Sequence, residues 1–262
     1  AAAWRRLGFT TTPRGRHIGW GTANYCMMFG ADYIELLGIV DPAEFTNNLD
    51  RFLSTREGLL SVSFATADAD AVAAALARQD LAAEGPKDLG RLIELPEGAV
   101  TPRFKLVMLA PDTTPGLSAF VCQHLSPELM RRAAWLDHAN GARAIRSLSA
   151  VVADPPSLAE PYERIFGAGA ATLTDDTLAV RTGGATLLFA SRDDLFMLHP
   201  GVEAPAATPP YLAAMTLSVA DPARVASHLG ARGISFATDP DGAIRVGPEV
   251  ATGVILEFRA GG

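Results

Sequence analysis

An α+β fold of four βαβββ modules, the first lacking its opening strand, is what this sequence predicts, and three observations carry the prediction. A short β-rich run ending in Asp recurs along the chain, each followed by an Ala/Leu-rich helix closed by Gly. After each helix the apolar period changes from helical to two-residue. The two-residue segments come in pairs separated by turn residues, as strand hairpins do.

Taken in order, the first unit opens on Ala1-Ala2-Ala3-Trp4-Arg5-Arg6-Leu7-Gly8-Phe9, which matches the helix end and Gly of the later units. Judged by the spacings Asp154 to Gly167 and Asp221 to Gly233, the chain opens inside a helix, and a strand is expected ahead of it. Strands follow at 21–29 and 33–37 around Gly30-Ala31-Asp32, then a helical bridge over 41–53. The second unit reads as a β-rich run over 59–68, a helix over 69–81 and strands over 103–110 and 116–124. Ser126 before Pro127 marks a short helix, and Asn140-Gly141 a turn into the third unit. That unit has a run over 145–155, a helix ending at Gly167, and strands over 177–181 and 186–190 about Gly183-Gly184. A Pro-rich run over 200–210 leads to the last: 212–222, a helix over 223–233, and strands over 243–246 and 253–259. Asp68, Asp154 and Asp221 stand where helix N-caps belong, with Pro155 and Pro222 in the first helical position, where a missing N–H costs nothing. The expected organisation is one pair of modules over 1–125, a linker over 126–141, and a second pair over 142–262.

A chain of 262 residues with 48% hydrophobic content has enough apolar material for two modest cores. A formal charge of −7 without a long basic run argues against nucleic-acid binding. Apolar runs stop well short of the ~20 residues a membrane-spanning helix needs. The Ala-rich start lacks the long apolar centre of a signal peptide. Two cysteines, Cys26 and Cys122, are too few for a disulfide framework and read as buried strand residues, which points to a cytoplasmic protein.

The first unit carries Leu7-Gly8-Phe9, Thr12-Pro13-Arg14-Gly15, His17, Gly21-Thr22-Ala23-Asn24 and Tyr33-Ile34-Glu35-Leu36-Leu37. The link carries Asp137-His138-Ala139-Asn140-Gly141, and the end of the chain Gly253-Val254-Ile255-Leu256-Glu257-Phe258. On these residues the chain resembles the glyoxalase-like domain proteins of the vicinal oxygen chelate superfamily, which also holds bleomycin-resistance proteins and extradiol dioxygenases. The resemblance implies modules paired into two cupped mixed sheets, with helices outside and a cavity inside each cup. It also implies, for metal-dependent members, a divalent ion held by a His on a module's first strand and a Glu on its last, open to vicinal substrate oxygens that it polarises as a Lewis acid. In this sequence the His position falls on Ser61, Ser147 and Ala214, while the Glu position is kept by Glu35 and Glu257. The second pair is therefore expected to hold no catalytic metal and to be a degenerate copy.

The first pair keeps the chemistry-bearing residues. Glu35 is a candidate metal ligand or general base, or a carboxylate paired with an arginine. His17, in a Gly-rich loop, is a candidate acid/base, and His124, on the face of Cys122, a candidate ligand beside Glu35. Trp20, Asn24, Tyr33 and Ser61 are candidate substrate contacts, Tyr33 sharing a strand face with Glu35. His138, His199 and His228 read as structural. Two functions follow from the resemblance. One is a lyase, isomerase or dioxygenase using one divalent metal ion on a substrate with vicinal oxygens. The other is a metal-free protein that binds or sequesters a small hydrophobic or antibiotic-like ligand. Either takes a small-molecule partner, with neither nucleic acid nor membrane, in a monomer or homodimer.

Overall fold

The computed structural model describes residues 1–261. Its first half runs α1 (Ala2–Arg6), β1 (Gly15–His17), β2 (Thr22–Met28), β3 (Tyr33–Ile39), α2 (Leu49–Leu53), β4 (Val62–Ala65), α3 (Ala69–Arg78), β5 (Ala83–Leu95), β6 (Gly98–Val100), β7 (Arg103–Leu109) and β8 (Ala119–His124). After α4 (Ala133–Leu136) the second half runs β9 (Ala142–Val151), α5 (Ala159–Phe166), β10 (Ala171–Thr174), β11 (Thr177–Arg181), β12 (Thr186–Ala190), α6 (Arg192–Leu198), β13 (Tyr211–Val219), α7 (Pro222–Gly230), β14 (Ala237–Thr238), β15 (Ile244–Val246) and β16 (Ile255–Ala260).

The strands form two curled mixed sheets, and the four-module reading holds. In each of the last three modules the opening strand pairs parallel with the closing one, β4 with β8, β9 with β12 and β13 with β16. The first module begins at α1. The second sheet is ordered β10-β11-β12-β9-β13-β16-β15-β14, its two modules joined by the antiparallel pair β9–β13. The first is ordered β3-β2-β1-β5-β7-β8-β4, with β6 beside β5, so its two modules join along β1–β5 instead. That seam pairs Gly15 with Ile93 and His17 with Arg91.

Several local expectations need correcting, each for a physical reason. Asp68 and Asp221 accept the Ala71 and Ala223 N–H groups as N-caps. Asp154 does not cap: Pro155 and Pro156 remove the first donors, so a 3₁₀ turn over Pro156–Leu158 precedes α5. Ser126 likewise accepts from the Arg103 N–H at 2.9 Å rather than capping its turn. The bridge over 41–53 is helical only at α2, because Asn47 and Asn48 take left-handed φ values of 52° and 63°. β4 covers only part of the run over 59–68, and β8 starts at Ala119 rather than residue 116. β5, at 13 residues the longest strand, and α6 were not anticipated. Among the described residues no helix is long and apolar enough to cross a membrane.

The largest apolar core spans both halves. Trp4, Phe9, Met27, Phe29 and Ile34 from the first pack with Leu217, Leu256 and Phe258 from the second. The two faces of the first sheet are separate. One packs Val107, Leu109 and Val121 against α3, and the other gathers Cys26, Met28, Ile93, Phe104, Leu106 and Cys122, closed by Met130 and Trp135 from the link.

Candidate functional site

The face of the first sheet away from α3 carries a polar cluster in otherwise apolar surroundings. Two-residue alternation places Tyr33 and Glu35 of β3 together, and Leu89, Arg91, Ile93 and Leu95 of β5 together. Arg91 Nη2 donates to Glu35 Oε1 at 3.0 Å and Nη1 to Cys26 Sγ at 3.1 Å, while its Cζ lies 5.2 Å from the centre of the Phe104 ring. The Asn24 amide also donates to Glu35 Oε1, and His17 Nε2 stands 3.5 Å from the same oxygen. His17 Nδ1 lies 2.8 Å from Thr22 Oγ1. Gly15 allows the cluster to close: a Cβ there would fall 2.5 Å from Arg91 Cδ and 2.7 Å from Asn24 Oδ1.

Electrostatics follow from this packing. Burial pushes the Glu35 carboxyl up, but Arg91 and the hydrogen bonds from His17 and Asn24 outweigh it and hold the group at about 2. Burial raises the Cys26 thiol to about 11 and the Cys122 thiol to about 12, so both stay protonated at neutral pH. His124 sits between the rings of Phe104 (4.9 Å) and Tyr33 (5.6 Å). Burial, then the charges of Arg131 and Arg91, bring it down to about 4, which keeps it neutral. His124 Nδ1, Arg91 Nε and Asn24 Oδ1 are buried with no hydrogen-bond partner.

One end of this face opens into a cleft of about 470 Å³ lined by Trp20, Phe45, Asn47, Lys87, Leu106 and Met108, among others. Trp20 and Phe45 meet edge to face at 5.0 Å, and Trp20 lies 5.7 Å from the His17 ring. Leu106 belongs to the same apolar cluster as Cys26 and Cys122, so the cleft floor continues into the packing around Arg91.

The second sheet repeats the ionic theme with different access. Glu257 is bonded by Arg245, by Arg259 at 2.5 Å and by His199 at 3.2 Å, and His199 Nε2 lies 2.8 Å from Ser149 Oγ. The Glu257 side chain is 3% exposed, whereas that of Glu35 is 24% exposed. Glu35 is thus partly exposed and Glu257 buried, and His199 links the second cluster to the segment that carries α6, where it lines a cavity of about 270 Å³.

The family model of the glyoxalase-like domain matches residues 1–166. The chain belongs to the glyoxalase-like domain family. This glyoxalase-like protein is similar in fold to a hypothetical protein from Staphylococcus aureus, at 11% identity and a TM-score of 0.65, over 96% of this chain and 90% of that one. It is similar also to a 4-hydroxymandelate synthase variant from Streptomyces coelicolor, at 14% identity and a TM-score of 0.52, over 96% and 87% of the two chains. A xylose isomerase-like TIM barrel/4-hydroxyphenylpyruvate dioxygenase fusion protein matches at 15% identity and a TM-score of 0.50, over 99% of this chain and 46% of that one. Comparison with curated protein sequences finds no match.

In this glyoxalase-like protein Glu35, Asn24 and His17 are in mutual contact, Tyr33 and His124 meet edge to face nearby, and Trp20 lines the cleft. Ser61 is half-buried just before β4 and makes no side-chain hydrogen bond to this cluster. Arg91, which nothing in the sequence marked, and Cys26, read there only as a buried strand residue, complete the cluster. In the second sheet Thr216, not Ala214, stands in register with Ser147 and Glu257; Ala214 pairs with Ser149 and Ile255. The residues present do not fit a divalent ion. Glu35 is matched by a guanidinium, and among the described residues no three His, Cys, Asp or Glu side chains group as metal ligands.

Proposed function

We infer that the protein binds a small, largely apolar molecule on the concave side of its first sheet, entered through the Trp20–Phe45 cleft. The observation that carries this is the continuity of the cleft floor with the apolar packing around an ionic cluster whose carboxylate alone is partly exposed, the usual form of a small-molecule site. Binding is favoured over acid–base or nucleophilic catalysis by the groups themselves. A carboxylate held at about 2 is a weak base, and thiols at about 11 and 12 are poor nucleophiles near neutral pH. Capture or sequestration of a ligand needs neither.

The test is a titration of the parent chain with the uncharged fluorophore N-phenyl-1-naphthylamine, repeated on Trp20→Ala and on Leu106→Trp, which fills the cleft floor. Saturable binding near one per chain is expected, weakened about tenfold, or ~1.4 kcal/mol, in each variant. Equal affinity in all three proteins places the fluorophore elsewhere and removes the reading.

A further inference from the structure

Glu35 occupies the strand position that the family resemblance gives to a metal-ligating carboxylate, yet a cation is already built in beside it. Arg91 is 4% exposed on its side chain and is held on three sides, by Glu35 at 3.0 Å, by Cys26 Sγ at 3.1 Å and by the Phe104 ring face. Its stem also packs against Gly15, where even a Cβ would collide with it. A guanidinium so placed cannot swing aside for an ion without leaving its charge unpaired in apolar surroundings. The three protein contacts to the carboxylate, from Arg91, Asn24 and His17, all fall on Oε1. Oε2 has no hydrogen-bond partner among the described residues and is not one of the buried unpartnered atoms, so it faces accessible space. The charges of Glu35 and Arg91 cancel. A divalent ion arriving here meets a neutral pair rather than a free anion, and a charged ligand group beside that pair would lose its water without a free counter-charge, Lys87 and Glu84 of the cleft wall being paired with each other at 2.7 Å.

We propose that Arg91 is the resident cation of this site, standing where a divalent ion would have to stand, and that the site takes uncharged molecules whose apolar body carries a hydrogen-bond donor for Glu35 Oε2. Phenols, alcohols and primary amides are the matching ligand classes. The ligand class rests on the binding reading above, whereas the role of Arg91 does not.

The experiment has two arms on the intact chain. In the first, Mn²⁺ is titrated with the protein and the free-ion electron paramagnetic resonance signal is read. The signal is expected to be unchanged at equimolar protein, and stoichiometric Mn²⁺ uptake that disappears in Glu35→Gln would overturn the proposal. In the second, phenol, benzoate and benzylamine are compared by ligand-observed NMR in EDTA. Phenol is expected to bind about tenfold more tightly than either charged probe, and a preference for benzoate or benzylamine would overturn the ligand class. If none of the three binds, with or without added metal, the binding reading itself falls, while a flat Mn²⁺ titration still supports Arg91 as the resident cation. The flat titration and the selectivity comparison need only the parent chain, so a Glu35→Gln variant that fails to fold leaves both informative.

Discussion

Arg91 and Glu35 are worth more as a pair than either is alone, because each is the other's compensation in a dry setting. Arg91→Met leaves Glu35 as an uncompensated, mostly buried carboxylate and is expected to cost about 3–5 kcal/mol in urea unfolding. Adding Glu35→Gln should recover part of that loss, and a double-mutant cycle with no coupling would show that the contact carries no energy. Acid destabilises the fold through the same cluster. His124 is held neutral at about 4 against an ordinary 6.5, so its contribution is complete above pH 6.5 and is lost as pH falls toward 4. Glu35, at about 2 against an ordinary 4.5, adds a second loss from pH 4.5 downward. In His124→Asn the urea midpoint should therefore decline less steeply than the parent's from pH 6.5 to about 5, the remaining slope coming from His138 and His228, which burial also lowers. Glu35, Asn24 and Tyr33 were legible in the sequence because polar residues on apolar strands stand out, whereas His17 was read in a Gly-rich loop that pairing with β2 and β5 makes strand β1. Arg91 was not legible, since its stretch is charge-rich and interrupted by Gly85-Pro86, and only pairing with β1 and β7 makes it a strand.

Elements were legible where local chemistry and tertiary pairing agree. The strands over 177–181 and 186–190 alternate, flank Gly183-Gly184, and form as the sequence indicates. β5 fails that test locally, because its ladder to β7 is broken by an irregularity between Glu84 and Lys87, and its alternation emerges only over Leu89, Arg91 and Ile93. The three Asp-ended corners separate the same way. Asp221 receives the Ala223 N–H at 2.9 Å, so Asp221→Ala should cost about 1 kcal/mol. Asp154 caps nothing, and Asp154→Ala should fall within about 0.5 kcal/mol of the parent. Thermal or urea unfolding of the two variants side by side checks the difference, and equal losses would mean the backbone around Pro155 differs from the one described.

For the whole molecule, the shared core decides how the halves behave. Phe258 is fully buried and stacks at 6.2 Å on Phe9, which belongs to the other half. Phe258→Ala should cost about 3–5 kcal/mol and lower amide protection in β2 as well as β13, because the core it opens belongs to both sheets. Loss of protection confined to the second sheet would show two independent units instead. The β1–β5 seam also decides where backbone polar groups are left over. Joining the modules there leaves β3 and β4 at the ends of the first sheet, whereas the second ends in β10, a short polar strand, and β14, of two residues. β3 runs Tyr-Ile-Glu-Leu-Leu-Gly-Ile, with no proline and a single charge to discourage pairing. When this protein is concentrated or warmed, self-association through added strands should begin at β3, because the one charge on that edge is already neutralised by Arg91 from within the sheet.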